Sequence, residues 1–63
     1  MDDFNRILQG LDILKRYSPK GISTDTDLIE VDTTVVVSDD DELLLTGLMW
    51  VKDRARTWSY LID

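Results

Sequence analysis

Between Gly21 and Met49 the chain carries eight carboxylates, Asp25, Asp27, Glu30, Asp32, Asp39, Asp40, Asp41 and Glu42, and no Lys or Arg. Carboxylates at close spacing can hold a hard cation, share acid and base roles in hydrolysis, or meet a basic surface. The calcium reading fails first. Asp25-Thr26-Asp27 opens like an EF-hand loop, but Ile29 stands at the next ligand position and Glu30 where the sharp-turn glycine belongs. The run from Asp39 to Glu42 does no better, because consecutive helical side chains point in different directions. No metal site is expected.

Catalysis has no better footing. Glycoside hydrolysis needs one carboxyl group kept protonated in an apolar pocket, and nothing singles out one acid in an exposed acidic field. The chain has no His and no Cys, so Ser18, Ser38 and Ser59 lack the usual activating base. Lys15, Lys20 and Lys52 belong to no nucleophile motif, and there is no glycine-rich phosphate loop. A chain of 63 residues also has little room for a deep, water-excluding cleft. The expectation is a protein that is not an enzyme and uses no cofactor.

Recognition of a basic surface remains. All seven basic residues lie outside the acidic block, and the net charge is −6. A one-sign field of that density repels nucleic acid and anionic membrane and attracts basic protein surfaces. Alternate strand residues stand about 6.6–6.8 Å apart on one face, a spacing comparable to successive backbone phosphates. Glu30 and Asp32 would share one face, Asp25 and Asp27 another, and Asp39 to Glu42 would extend the strip. The expected partner is a larger protein with a basic, nucleic-acid-binding surface. Direct nucleic-acid binding is disfavoured: Lys52, Arg54 and Arg56, near Trp50 and Trp58, set three charges against a net of −6. The Trp residues are expected in the core, with those basic residues paired to acids on the same molecule. In the alternative reading the charge serves only solubility, and the chain is a structural or accessory subunit that assembles through apolar surface.

These side chains need elements to hold them. Phe4, Ile7, Leu8, Leu11 and Leu14 predict a helix from about Asp3 to Tyr17, capped by Asp2 or Asp3 and stopped at Ser18-Pro19-Lys20-Gly21. Ile13 and Tyr17, with Arg6 and Gly10, form a second strip nearly opposite. It is either partly buried at the sheet margin, ordinarily exposed, or a contact strip for another subunit or a partner, as in the alternative reading. Residues 22–38 are rich in Thr, Val and Ile and read as two strands broken at Val31-Asp32-Thr33-Thr34. Ile29, Val31, Val35 and Val37 share one parity; Glu30, Asp32 and Thr34 share the other.

Ser38 then caps a short helix, with Asp41 as a capping-box partner. Leu43, Leu44, Leu45 and Leu48 supply its apolar face, and Gly47 lies near its end. Met49 to Ile62 reads as a hairpin connected by Asp53-Arg54-Ala55-Arg56, with Trp50 and Trp58 meeting across it. The expected fold is α+β in the order α-β-β-α-β-β, an N-terminal helix on a small antiparallel sheet, as one domain over residues 1–63. No stretch approaches the ~20 apolar residues of a membrane span. The acidic Met1-Asp2-Asp3 start is unlike a signal peptide, and cysteine is absent. A cytoplasmic location is expected.

The C-terminal half resembles a known pattern. Leu45-Thr46-Gly47-Leu48-Met49-Trp50, followed by Trp58-Ser59-Tyr60, is similar to the Leu-x-x-Leu-Gly-Trp and Trp-x-aromatic segments of many small bacterial and phage proteins. Ser38-Asp39-Asp40-Asp41 resembles the Ser-x-Glu-Asp start of the preceding helix. Met49 stands where the pattern has Gly; if that Gly is left-handed, the backbone here must differ, with Gly47 as the closing residue. The matching residues are core and cap residues, which carry fold and little function. The resemblance implies a compact α+β accessory protein of a phage or mobile element. In style it is like anti-CRISPR and anti-restriction inhibitors, which would act in the host cytoplasm.

Overall fold

The computed structural model describes residues 2–62. α1 spans Asp3–Leu14 and tightens into a 3-10 turn, Lys15–Tyr17. Asp2 caps it by accepting the Asn5 N–H at 2.9 Å. Ser18, at φ 50°, ends the turn. β1 (Pro19–Thr24) and β2 (Leu28–Thr33) follow, then α2 (Asp39–Gly47), β3 (Val51–Arg54) and β4 (Thr57–Leu61). The strands form one antiparallel sheet in the order β1-β2-β4-β3. The fold is α+β, in the order α-β-β-α-β-β.

Register decides which side chains share a face. Ile29 lies opposite Tyr60 and Val31 opposite Trp58, so these four point the same way. Ile13, Leu14 and Leu45 of the helices join them in the core. The other face carries Leu28, Glu30 and Asp32 of β2 opposite Leu61, Ser59 and Thr57 of β4. Both helices therefore lie on one side of the sheet.

Two tryptophans hold this small core together. Trp50, Trp58, Leu14 and Leu45 are almost fully withdrawn from water, each worth roughly 1.5–3 kcal/mol of transfer free energy. The Trp50 indole N–H donates to the Arg6 carbonyl at 3.0 Å. The Trp50 ring packs on Tyr60 with centroids 5.5 Å apart and planes tilted 56°. The expected Trp50–Trp58 pair does not form. Val51 lies opposite Ser59, which sets Trp50 beside Tyr60 and leaves Trp58 opposite Lys52.

α1 buries a different stripe from the one its apolar spacing predicts. Gly10, Ile13 and Leu14 are buried, while Phe4 is 69% and Leu8 48% exposed. The buried face is rotated by roughly a quarter turn, and it is centred on Gly10. A glycine adds nothing to a hydropathy pattern, yet here it makes the hollow that receives the Trp50 ring. Ile13 is thus a core residue and Tyr17 is packed against the core, so neither forms an outward contact strip.

The first hairpin turn also lies elsewhere. It is Asp25-Thr26-Asp27, closed by the Asp25 N–H on the Leu28 carbonyl at 2.8 Å, not Val31–Thr34. Pro19-Lys20-Gly21 begins β1 instead of forming a turn, and proline is tolerated there as the first residue of an edge strand. Val35 lies outside any strand and is exposed, while Val37 is buried.

In α2 only Leu45 is buried; Leu43 and Leu44 face water. Its end is a Schellman motif: the Trp50 N–H reaches the Leu45 carbonyl and the Met49 N–H the Thr46 carbonyl, both at 3.0 Å. Met49 itself takes the left-handed conformation, φ 72°, that the motif requires, and Gly47 stays within the helix. The backbone keeps the turn and bears the strain of a side chain there.

Candidate protein-binding surface

The eight carboxylates divide into two regions. Asp25 and Asp27 flank the tip of the β1–β2 hairpin, in a turn and not on alternate positions of a strand. Glu30 and Asp32 follow on the open face of β2, at strand spacing. Asp25 and Glu30 line one shallow depression with Ser23, Thr24 and Leu28. Asp25 accepts its neighbour Thr26 N–H at 2.8 Å, which orders the turn.

Asp39, Asp40, Asp41 and Glu42 open α2, in the helical layer. That helix starts at the opposite end of the sheet, where the Thr34 N–H meets the Tyr17 carbonyl at 3.3 Å. From Asp27 to Thr34 the chain climbs roughly 23 Å along β2. The α2 acids therefore do not extend the strip on the sheet.

Two of the four have structural partners. Asp41 accepts a short hydrogen bond from the Tyr17 hydroxyl and stands 3.8 Å from the Arg16 guanidinium. Ser38 caps α2 by accepting the Asp41 N–H at 3.3 Å. The reciprocal contact to the Ser38 N–H comes from the Tyr17 oxygen, not from the Asp41 carboxylate. Tyr17 thus completes the cap and ties α1 to α2. Glu42 pairs with Lys52 at 3.1 Å. Asp39 and Asp40 stay exposed in the first turn, where the helix dipole favours anions.

Asp32 marks the end of the acidic strip. Its carboxylate accepts the Thr57 hydroxyl at 2.8 Å. It also lines a polar depression with Lys20, Arg54 and Arg56. These three cations make no ion pair with a described carboxylate. The expected pairing of basic residues with acids therefore holds for Lys52 and not for Arg54 or Arg56. The basic 54/56 spacing is visible in the sequence; the arrival of Lys20 beside it depends on the sheet order.

Six carboxylates of the candidate set, Asp25, Asp27, Glu30, Asp32, Asp39 and Asp40, make no ion pair among the described residues. Among those residues no cluster of three metal-ligating side chains forms, and no helix is long and apolar enough to cross a membrane. Outside the acidic set, Asp12 lies below the ordinary carboxylate range because Lys15 donates to it, helped by the nearby charges. Tyr60 lies above the ordinary tyrosine range, first because it donates to Asp3 at 2.5 Å and then because it is buried. Both shifts belong to packing and pairing. No family model, curated protein or solved structure matches the chain.

Proposed function

We propose that the protein is a non-enzymatic binding module whose hairpin tip and adjoining sheet face engage a basic surface on a larger, nucleic-acid-binding protein. The observation that carries this reading is the unpaired state of Asp25, Asp27 and Glu30 together at one end of the molecule. Unneutralised carboxylates on a hairpin can accept charge-assisted hydrogen bonds from Lys and Arg and steer a partner in. They can occupy positions that phosphates would otherwise hold. This is the chemistry of an inhibitor that displaces nucleic acid, as in phage counter-defence. Asp39 and Asp40 offer a second, smaller contact at the far end, and Asp41 and Glu42 contribute through the fold.

The test is affinity capture from a bacterial lysate at low and high salt, with the wild-type chain and with a variant carrying Asp25→Asn, Asp27→Asn and Glu30→Gln. A partner held at low salt, released at high salt and lost by the variant supports the reading. A partner held equally by both proteins at both salts refutes it.

A second reading rests on a separate observation. Leu8, Ile13, Leu44 and Leu48 line an apolar depression between α1 and α2, and Leu8 and Leu44 are about half exposed. This is the surface an accessory subunit would use for assembly, with Leu8 and Leu44 as its exposed contacts, Ile13 at its floor and Tyr17 outside it. Leu8→Asp with Leu44→Asp would abolish assembly in that case and leave an electrostatic partner bound.

A further inference from the structure

Of the seven basic residues, Arg6, Lys15, Arg16 and Lys52 are ion-paired to described carboxylates. The three that are not, Lys20, Arg54 and Arg56, come from two chain segments, the start of β1 and the β3–β4 hairpin, and line one depression of about 290 Å³. In a chain with thirteen carboxylates, that leaves the unpaired cations gathered at one place.

The backbone has two irregularities that deliver them. Pairing of β1 with β2 slips between Pro19 and Gly21, so Lys20 is the extra residue of a bulge. Pairing of β3 with β4 slips between Lys52 and Arg54. Without that second slip Asp53 would stand opposite Thr57; with it, Arg54 does. Bulges re-aim side chains, and here one on each edge strand flanks the same end of the open face.

We infer that this depression binds a phosphate group, free or at the end of a phosphomonoester. Its charge arithmetic fits: three cations and Asp32 leave an excess of two positive charges, against roughly −1.5 to −2 on a phosphomonoester near neutral pH. Guanidinium groups match phosphate oxygens in bidentate geometry, with Lys20 as a point charge. The Asp32 carboxylate, which accepts from Thr57, stays in the site as a like charge that weakens binding. The site lies at the other end of the sheet face from the acidic hairpin tip and stands or falls independently of the proposed partner contact.

The experiment is a two-dimensional amide NMR titration of the full chain with inorganic phosphate and with adenosine monophosphate, against sodium chloride at matched ionic strength. Saturable shifts at Lys20, Gly21 and Arg54 to Thr57 are expected, with a Kd on the order of 1–10 mM. Both probes saturating assigns free phosphate as sufficient; the nucleotide alone assigns a phosphomonoester. Arg54→Gln with Arg56→Gln should raise Kd at least tenfold while the spectrum stays dispersed. Asp32→Asn should tighten binding about three- to tenfold by removing the like charge. Shifts that do not saturate, that chloride reproduces, or that survive the double variant overturn the inference, as does an unchanged or weaker Kd in Asp32→Asn.

Discussion

Replacing Gly10 by alanine adds one methyl group where there is no room for it. A Cβ at that position would stand 2.0 Å from Trp50 Nε1, 2.3 Å from Cε2 and 2.8 Å from Cδ1. Carbon contacts settle near 3.5–4.0 Å, so the ring must retreat by about 1.5 Å. Trp50 is only 2% exposed, and its N–H is committed to the Arg6 carbonyl at 3.0 Å. Overpacking costs about 1–3 kcal/mol, and stranding the indole donor about 1–3 kcal/mol more. The better helix propensity of alanine returns about 1 kcal/mol. The expected net loss is about 1–5 kcal/mol, centred near 3, against the roughly 3–5 kcal/mol that a single core of this size supplies. Urea unfolding followed by circular dichroism should therefore show a variant that is marginal or unfolded at 25 °C. Adding Trp50→Leu removes the Nε1 and Cε2 atoms that make the closest clashes, so Gly10→Ala should cost less in that background. A Gly10→Ala midpoint at or above wild type would refute the packing of α1 on Trp50.

Met49→Gly relieves a left-handed side chain at φ 72° and should stabilise the chain by about 1 kcal/mol, read as a higher urea midpoint at unchanged m. Trp50→Phe should be more destabilising than Trp58→Phe by about 1–3 kcal/mol. The first loses the bond to Arg6, while the second removes an indole N–H buried with no acceptor among the described residues. Tyr60 is held above its ordinary value of 10.0 in the fold. Its contribution is complete below the unfolded value and is lost as pH rises through the folded one, so wild-type stability should fall above about pH 10. Tyr60→Phe should be less stable at neutral pH and should lack that component of the alkaline decline.

The order α-β-β-α-β-β was legible because the alternation of Ile29 with Val31 and of Trp58 with Tyr60 survives in the folded register. The face of α1 was not legible, since Gly10 contributes space and no hydrophobicity. The first turn was misplaced for a related reason. Asp32 and Thr33 look like a polar break, yet Asp32 faces water from within a strand. Thr33 is buried with its hydroxyl donating to the Val35 carbonyl at 2.6 Å. Turn chemistry sat instead in Asp25-Thr26-Asp27, the segment weighed as a cation loop. For the candidate surface, the count of carboxylates was plain from the start. Their separation into two ends was not, because it depends on α2 returning beside Tyr17. The internal pairing of Asp41 and Glu42 depends on contacts with residues 24 and 10 positions away.

The central claim is that the carboxylates at the hairpin tip recognise a basic surface. The most direct measurement is the association rate constant for a captured partner as a function of ionic strength, by stopped flow or surface plasmon resonance. Exposed charges are screened over about 8 Å at physiological salt. The rate should therefore fall steeply between low and physiological salt. The triple variant at Asp25, Asp27 and Glu30 should show a slow and nearly flat dependence. A wild-type rate indifferent to salt, or a triple variant with an unchanged rate, would contradict the claim.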